Sequence, residues 1–222
     1  MFIPNYLEEV TEGVWQRKEI IKSEDVYSVK HPKDVWLNIL TSDKVHYKTM
    51  YPIINTQIPW LAGKYKRVVS PGGGLPKFET QILKANEITV YDFISDTYLE
   101  LLDPFKEIYG IQDTRINYEE GNLYSPFCAN KDQDCVCFVH FLEHSNNWDI
   151  VKEWIALQKT DIVIYGPNIE AAQGMNWHHF HNHKVDHNVY FTIEAMVELG
   201  ESLGFTVTSL AYSDDMLVIM KK

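Results

Sequence analysis

From Lys66 onward, short β-branched runs alternate with longer stretches of helical spacing, and no other feature constrains the fold as much. Residues 67–70 read as a short buried strand that ends in Pro71-Gly72-Gly73-Gly74. A helix is expected over 76–85, with Pro76 in its first turn, where a missing N–H is least harmful. Residues 87–91 form the next predicted strand, ending on Asp92. The spacing of Leu99, Leu102, Phe105 and Ile108 predicts a helix over 97–109. Further strands are expected at 114–118, 134–141 and 161–165, with a helix over 148–157 between the last two. A helix over 192–203 is closed by Gly204, and strands at 206–212 and 216–220 flank the turn residues Ser213-Asp214-Asp215. Such alternation predicts a mostly parallel seven-stranded α/β sheet with helices on both faces. The two consecutive strands at the end add an antiparallel hairpin strand.

The first 60 residues lack this pattern. They are mixed and aromatic, broken by Pro32, Pro52 and Pro59, and read as short helices and turns. The formal net charge of -11 disfavours a nucleic-acid partner, which needs clustered Lys and Arg. Cys135 and Cys137 lie in an apolar run and read as buried strand residues facing one way; Cys128 completes a set too small for a disulfide framework. The N-terminus has no basic start followed by an apolar run, and no segment is long enough to span a bilayer. The expected location is the cytoplasm.

In an open α/β sheet the ligand sits beyond the carboxyl ends of the strands. The loops there carry chemistry. In Ser70-Pro71-Gly72-Gly73-Gly74 the glycines permit a sharp turn and close approach by a ligand, and the following helix start can face an anion. Asp92 ends the second strand, about 20 residues on, where an acid can accept from ribose hydroxyls. Glu120-Gly121-Asn122-Leu123 follows the third strand, and Phe138-Val139-His140-Phe141-Leu142-Glu143-His144 closes the fourth. Asp186-His187, then Phe191-Thr192 and a helix ending in Gly204-Phe205, follow the fifth.

Across residues 64–222 this order and spacing resembles the class I S-adenosylmethionine-dependent methyltransferases of the small-molecule type. The resemblance implies a Rossmann-like domain over 64–222 and an N-terminal helical cap over 1–63. It implies that S-adenosylmethionine is the donor, S-adenosylhomocysteine the product and a small molecule the acceptor, with no nucleic acid and no membrane partner. Ser70, Pro71, Gly72, Gly73 and Gly74 would face the donor's methionine part, Asp92 its ribose, and Asn122, Phe93 and Leu123 its adenine, with the backbone at His140 and Phe141 alongside. The chain departs from the pattern in four places: Ser70 stands where an acid usually ends the first strand, Pro76 takes the third glycine position, Asn122 replaces an acid, and Gln158-Lys159-Thr160 stands where two glycines usually precede the fifth strand.

Residues 177–187 hold His178, His179, His181, His183 and His187, five of the nine histidines. In the family this loop lies near the acceptor, and His179 and His181 are the candidates for a general base. No metal ligands are assigned. Two alternatives accompany methyl transfer: a catalytically inactive methyltransferase-like binding or assembly module, motivated by Ser70 and Pro76, and a metal-binding protein using the histidine cluster.

Overall fold

The structure, a computed structural model, describes residues 6–20, 33–92, 96–120, 133–170, 187–212 and 214–222. Seven strands form one sheet in the order β5-β4-β3-β6-β7-β10-β9. They are β3 (Arg67–Pro71), β4 (Glu87–Asp92), β5 (Arg115–Glu120), β6 (Cys135–Val139), β7 (Asp161–Pro167), β9 (Thr206–Tyr212) and β10 (Asp215–Lys221). β3 runs parallel to β4 and β6, and β4 parallel to β5; β10 is antiparallel to both β7 and β9. The expected mostly parallel sheet with a terminal hairpin is therefore present. Burial follows strand position. β3, β6, β7 and β10 are buried along nearly their whole length, which is why they read as continuous apolar runs. β9, at one edge, alternates between exposed and half-buried residues. Cys135 and Cys137 are buried in β6, as their apolar setting predicts.

The chain divides into two compact units, one drawn from 30–123 and 130–137, the other from 1–29, 124–129 and 138–222. In the first, a 25-residue helix, Lys33–Gln57, replaces the expected short helices and turns. It runs through Pro52, which removes one backbone hydrogen bond and costs about 3 kcal/mol in a helix interior. Leu40, Tyr47, Met50 and Ile54 recur at helical spacing and are all buried. Burying each apolar side chain contributes roughly 2 kcal/mol, so the stripe outweighs the proline. Tyr47 packs edge-on against Phe78, 6.4 Å between ring centres. The helix expected over 76–85 is instead mostly a π-helical turn, Glu79–Leu83, ended by Lys84 in the left-handed conformation with φ 55°. The helix Asp96–Tyr109 lies where the spacing predicts one, but its buried face is Leu101, Phe105 and Tyr109, and Leu99 is exposed.

In the second unit residues 7–11 and 14–17 form strands where short helices and turns are expected. β1 (Leu7–Thr11) and β2 (Val14–Arg17) make an antiparallel hairpin turned at Gly13, φ 72°. A third strand, β8 (Val189–Phe191), pairs with β2 to complete a small separate sheet. Gly13 is required twice over: its φ is left-handed, and a Cβ would come within 2.7 Å of Thr192 Oγ1. Thr192 caps the helix Ile193–Ser202 by accepting from the Ala195 amide at 3.1 Å. Gly204, φ 82°, closes the same helix and donates to the Glu201 carbonyl at 2.9 Å, the expected cap. Among the described residues no helix is long and apolar enough to cross a membrane.

Candidate functional site

The glycine turn and the acid that follows it are brought together in the first unit. β3 and β4 lie side by side in parallel, pairing Pro71 with Tyr91. This register sets the turn after β3 beside the end of β4. The Gly72 amide donates to the Tyr91 carbonyl at 2.8 Å, and the Gly74 amide donates to Asp92 Oδ2 at 2.9 Å. Gly72 and Gly74 both have positive φ, 62° and 48°, a region that favours glycine. Two tyrosines frame the turn. Tyr118 Oη donates to the Gly74 carbonyl at 2.9 Å, and a Cβ on Gly74 would stand 3.4 Å from the Tyr98 ring. Burial, reinforced by the Asp92 charge, pushes the Tyr98 hydroxyl up to about 12. Burial and the charges of Asp92, Tyr98 and Glu79 hold Tyr118 far above the ordinary tyrosine range. Both phenols are therefore protonated donors at neutral pH, with Asp92 buried beside them.

Beneath the turn, the Ser70 hydroxyl donates to Glu79 Oε1, and both residues are fully buried. Glu79 thus brings a carboxyl to the end of β3, where Ser70 has none. Burial pushes Glu79 up to about 7 although Ser70, a backbone N–H and Lys77 all pull it down. A Cβ on Gly73 would collide with the Ser70 side chain, so the serine, the glycine and the glutamate are fitted to one another. The sequence signal for Glu79 is an acid amid the apolar residues Phe78, Ile82 and Leu83, all of them buried.

A second cluster lies in the other unit. The strand expected over 134–141 stops at Val139, because His140 takes φ 45°, a left-handed conformation that an extended ladder cannot hold. A 3-10 turn, Leu142–His144, follows. Phe141 is committed to the core, stacking on Phe138 and Trp154 at 5.8 and 4.9 Å. Glu143 is buried, with Oε1 at 3.4 Å from His140 Nδ1 and 3.8 Å from His187 Nε2. His144 meets the His187 ring edge-on at 4.8 Å. His140 Nε2 also lies 3.7 Å from Asp215 Oδ2, which accepts from Tyr165 Oη at 2.7 Å. Burial alone would raise the Glu143 carboxyl, but His140 against it and the charges of His187 and His144 outweigh burial and hold it well below the usual carboxylate range.

Of the residues singled out in the sequence, Ser70, Pro71, Gly72, Gly73, Gly74 and Asp92 come together. His140 and Phe141 follow β6 in the other unit. Phe93, Asn122, Leu123, His179 and His181 lie outside the described residues, as do Cys128, His178 and His183. Glu79, Tyr98 and Tyr118 are not among the site residues the sequence points to; Asp215 enters there only as a turn residue, Glu143 and His144 only within the motif closing the fourth strand, and His187 with Asp186 and as the last of the histidine cluster.

No protein-family model matches the chain, and no curated protein matches its sequence. Solved structures do match its fold. An O-methyltransferase family protein from Burkholderia thailandensis superposes with a TM-score of 0.61 at 14% identity, over 86% of this chain and 59% of its own. An O-methyltransferase family 2 protein from Planctomyces limnophilus, solved with apigenin, gives 0.60 at 11% identity, over 88% and 63%. A SAM-dependent methyltransferase from Archaeoglobus fulgidus gives 0.50 at 16% identity, over 79% and 94%. The chain therefore has the class I methyltransferase fold. It spans about three fifths of the length of the two O-methyltransferase structures.

Proposed function

We propose that the chain transfers a methyl group from S-adenosylmethionine to a small-molecule acceptor. The observation that supports this most is the joining of the glycine turn to Asp92 at the carboxyl ends of two adjacent parallel strands. The site suits the donor. Glycine backbone without Cβ atoms lets a ligand approach, and a buried carboxylate stands where ribose hydroxyls would donate. On binding, Asp92 exchanges the Gly74 amide for those hydroxyls. Sequence order adds Asn122, Phe93 and Leu123 for the adenine, and His179 or His181 as the base that takes the acceptor's proton. When bound, the donor supplies an electrophilic methyl: its carbon–sulfur bond breaks as the bond to the acceptor forms, leaving S-adenosylhomocysteine. We place the reaction in the cytoplasm, on a small molecule and not on nucleic acid.

One observation favours a second reading, a methyltransferase-like module that binds without catalysis. Asp92 already accepts from the Gly74 amide, and Pro76 withholds an amide from the loop. Calorimetric titration with S-adenosylmethionine and S-adenosylhomocysteine separates the two. Micromolar binding of both, abolished in Asp92→Ala, is the expected result. A folded protein that binds neither, with no ligand carried through purification, would overturn the first reading in favour of the second.

A further inference from the structure

We propose that Glu143, His144 and His187 form a binding site for one first-row transition-metal dication of the zinc or manganese type. Each offers one ligand atom, and the three atoms lie within 4.8 Å of one another. Two imidazoles and a carboxylate suit such ions, and three protein ligands leave a coordination position open to water or an oxygen donor. In a tetrahedral site with bonds of about 2.1 Å, ligand atoms stand roughly 3.4 Å apart. The 3.8 Å between Glu143 Oε1 and His187 Nε2 is already close to that. The remaining spread is to be closed by side-chain rotation, and His144 is the half-buried one of the three.

The backbone holds the ligands in place across 43 positions of chain. The Asn188 amide donates to the Glu143 carbonyl at 2.8 Å, tying the segment that carries His187 to the 3-10 turn. The Arg17 guanidinium donates to the His187 carbonyl at 2.6 Å, fixing that residue from β2. Glu143 Oε1 is buried, and the polar atoms recorded against it are the His140 and His187 imidazole nitrogens at 3.4 and 3.8 Å. Metal binding takes the imidazoles in their neutral form, and the dication then supplies the positive charge that the buried carboxylate needs. His140, at 3.4 Å from the same carboxylate oxygen and linked through Asp215 to Tyr165, is a positioning residue for Glu143. The site stands apart from the methyl-transfer reading and does not depend on it. It also differs from the sequence-level alternative, which drew on the histidine-rich stretch as a whole.

The test uses the full chain without a polyhistidine tag, stripped with chelator and reloaded with Zn²⁺ or Co²⁺. Metal content is measured by elemental analysis, and Co²⁺ coordination by visible absorption. The same measurements are made on Glu143→Gln, on His144→Gln at the half-buried ligand, on His140→Asn, and on a variant with His178, His179, His181 and His183 all changed to Gln. We expect one ion per chain and a strong Co²⁺ band in the parent and in the fourfold variant. His140→Asn keeps the stoichiometry but binds about tenfold more weakly, as loss of a supporting partner does. Glu143→Gln and His144→Gln lose more than roughly 100-fold while their circular dichroism stays that of the parent. If Glu143→Gln fails to fold, His144→Gln decides alone. The proposal is overturned if the parent holds no stoichiometric ion, if the fourfold variant loses it, or if a folded His144→Gln binds as the parent does.

Discussion

Glu79 has an unusual titration for a carboxylic acid, and its sign can be worked out. Its ordinary value is 4.5, and burial raises it to about 7 in the folded chain. Below pH 4.5 both folded and unfolded chains carry the proton, so the group is neutral to stability. Between pH 4.5 and 7 the folded state keeps a proton that the unfolded state releases, so stability falls as pH rises through that window. Above about 7 the full loss, roughly 3 kcal/mol, is in place. Glu79→Gln keeps an acceptor for the Ser70 hydroxyl and has no charge to bury. The variant should match the parent near pH 4.5 and exceed it by up to about 3 kcal/mol at pH 8. Urea midpoints measured across that range check this. A parent and variant that keep a constant difference at every pH would show that Glu79 is not the titrating group. The same residue bears on the proposed site, because Glu79 lies under the glycine turn and its ionisation charges the floor of that turn.

At the scale of elements, the helix Ile193–Ser202 meets its sheet at a glycine. A Cβ on Gly200 would stand 2.8 Å from Val207 Cγ2 and 3.1 Å from the Met220 side chain. Alanine there would gain about 1 kcal/mol of helix propensity. Overpacking costs typically 1–3 kcal/mol, and Val207 is β-branched with little rotamer freedom to yield. Gly200→Ala should therefore lower stability by about 1 kcal/mol in urea unfolding. Adding Val207→Ala should restore most of the loss, and a purely additive double variant would refute the contact. Legibility follows the same division between local and distant contacts. β3, β6, β7 and β10 were readable because strands buried on both faces write themselves as apolar runs. β1 was not, because Glu8, Glu9, Val10 and Thr11 are all exposed and give no alternation. The three-residue β8 exists through its pairing with β2, from Val14 with Phe191 to Gln16 with Val189, which no local window contains. Pro52 read as a break because the buried stripe that carries the helix through it becomes visible only once its neighbours are in place. The site divides likewise. The glycines and Asp92 are punctuation at strand ends and could be read directly, whereas Tyr118 reaches Gly74 across 44 positions and Glu143 meets His187 through the fold.

At the scale of the whole molecule, the formal charge of -11 sets how stability responds to salt. Two effects oppose each other. Salt screens the repulsion among uncompensated carboxylates, which stabilises the folded chain; it also weakens ion pairs, which destabilises it. The pairs Arg67–Asp134, Arg115–Glu87 and Lys152–Asp149 are all substantially exposed. Such pairs contribute about 0–1 kcal/mol each, so screening them removes roughly 1 kcal/mol in total. On a folded chain of this length, repulsion among the 11 excess charges falls by a few kcal/mol between about 0.01 M and 0.15 M salt, as the Debye length shrinks from about 30 to 8 Å. The unfolded chain, being more expanded, gains less from the same screening, so the net change favours folding by roughly 1–2 kcal/mol. For a protein of this size that corresponds to a rise of about 3–6 °C in Tm. Thermal scans in NaCl at the two concentrations, at pH 7.5, measure it. A fall in Tm would mean that the surface pairs act as a cooperative network, and the acidic excess would then carry no energetic weight of its own.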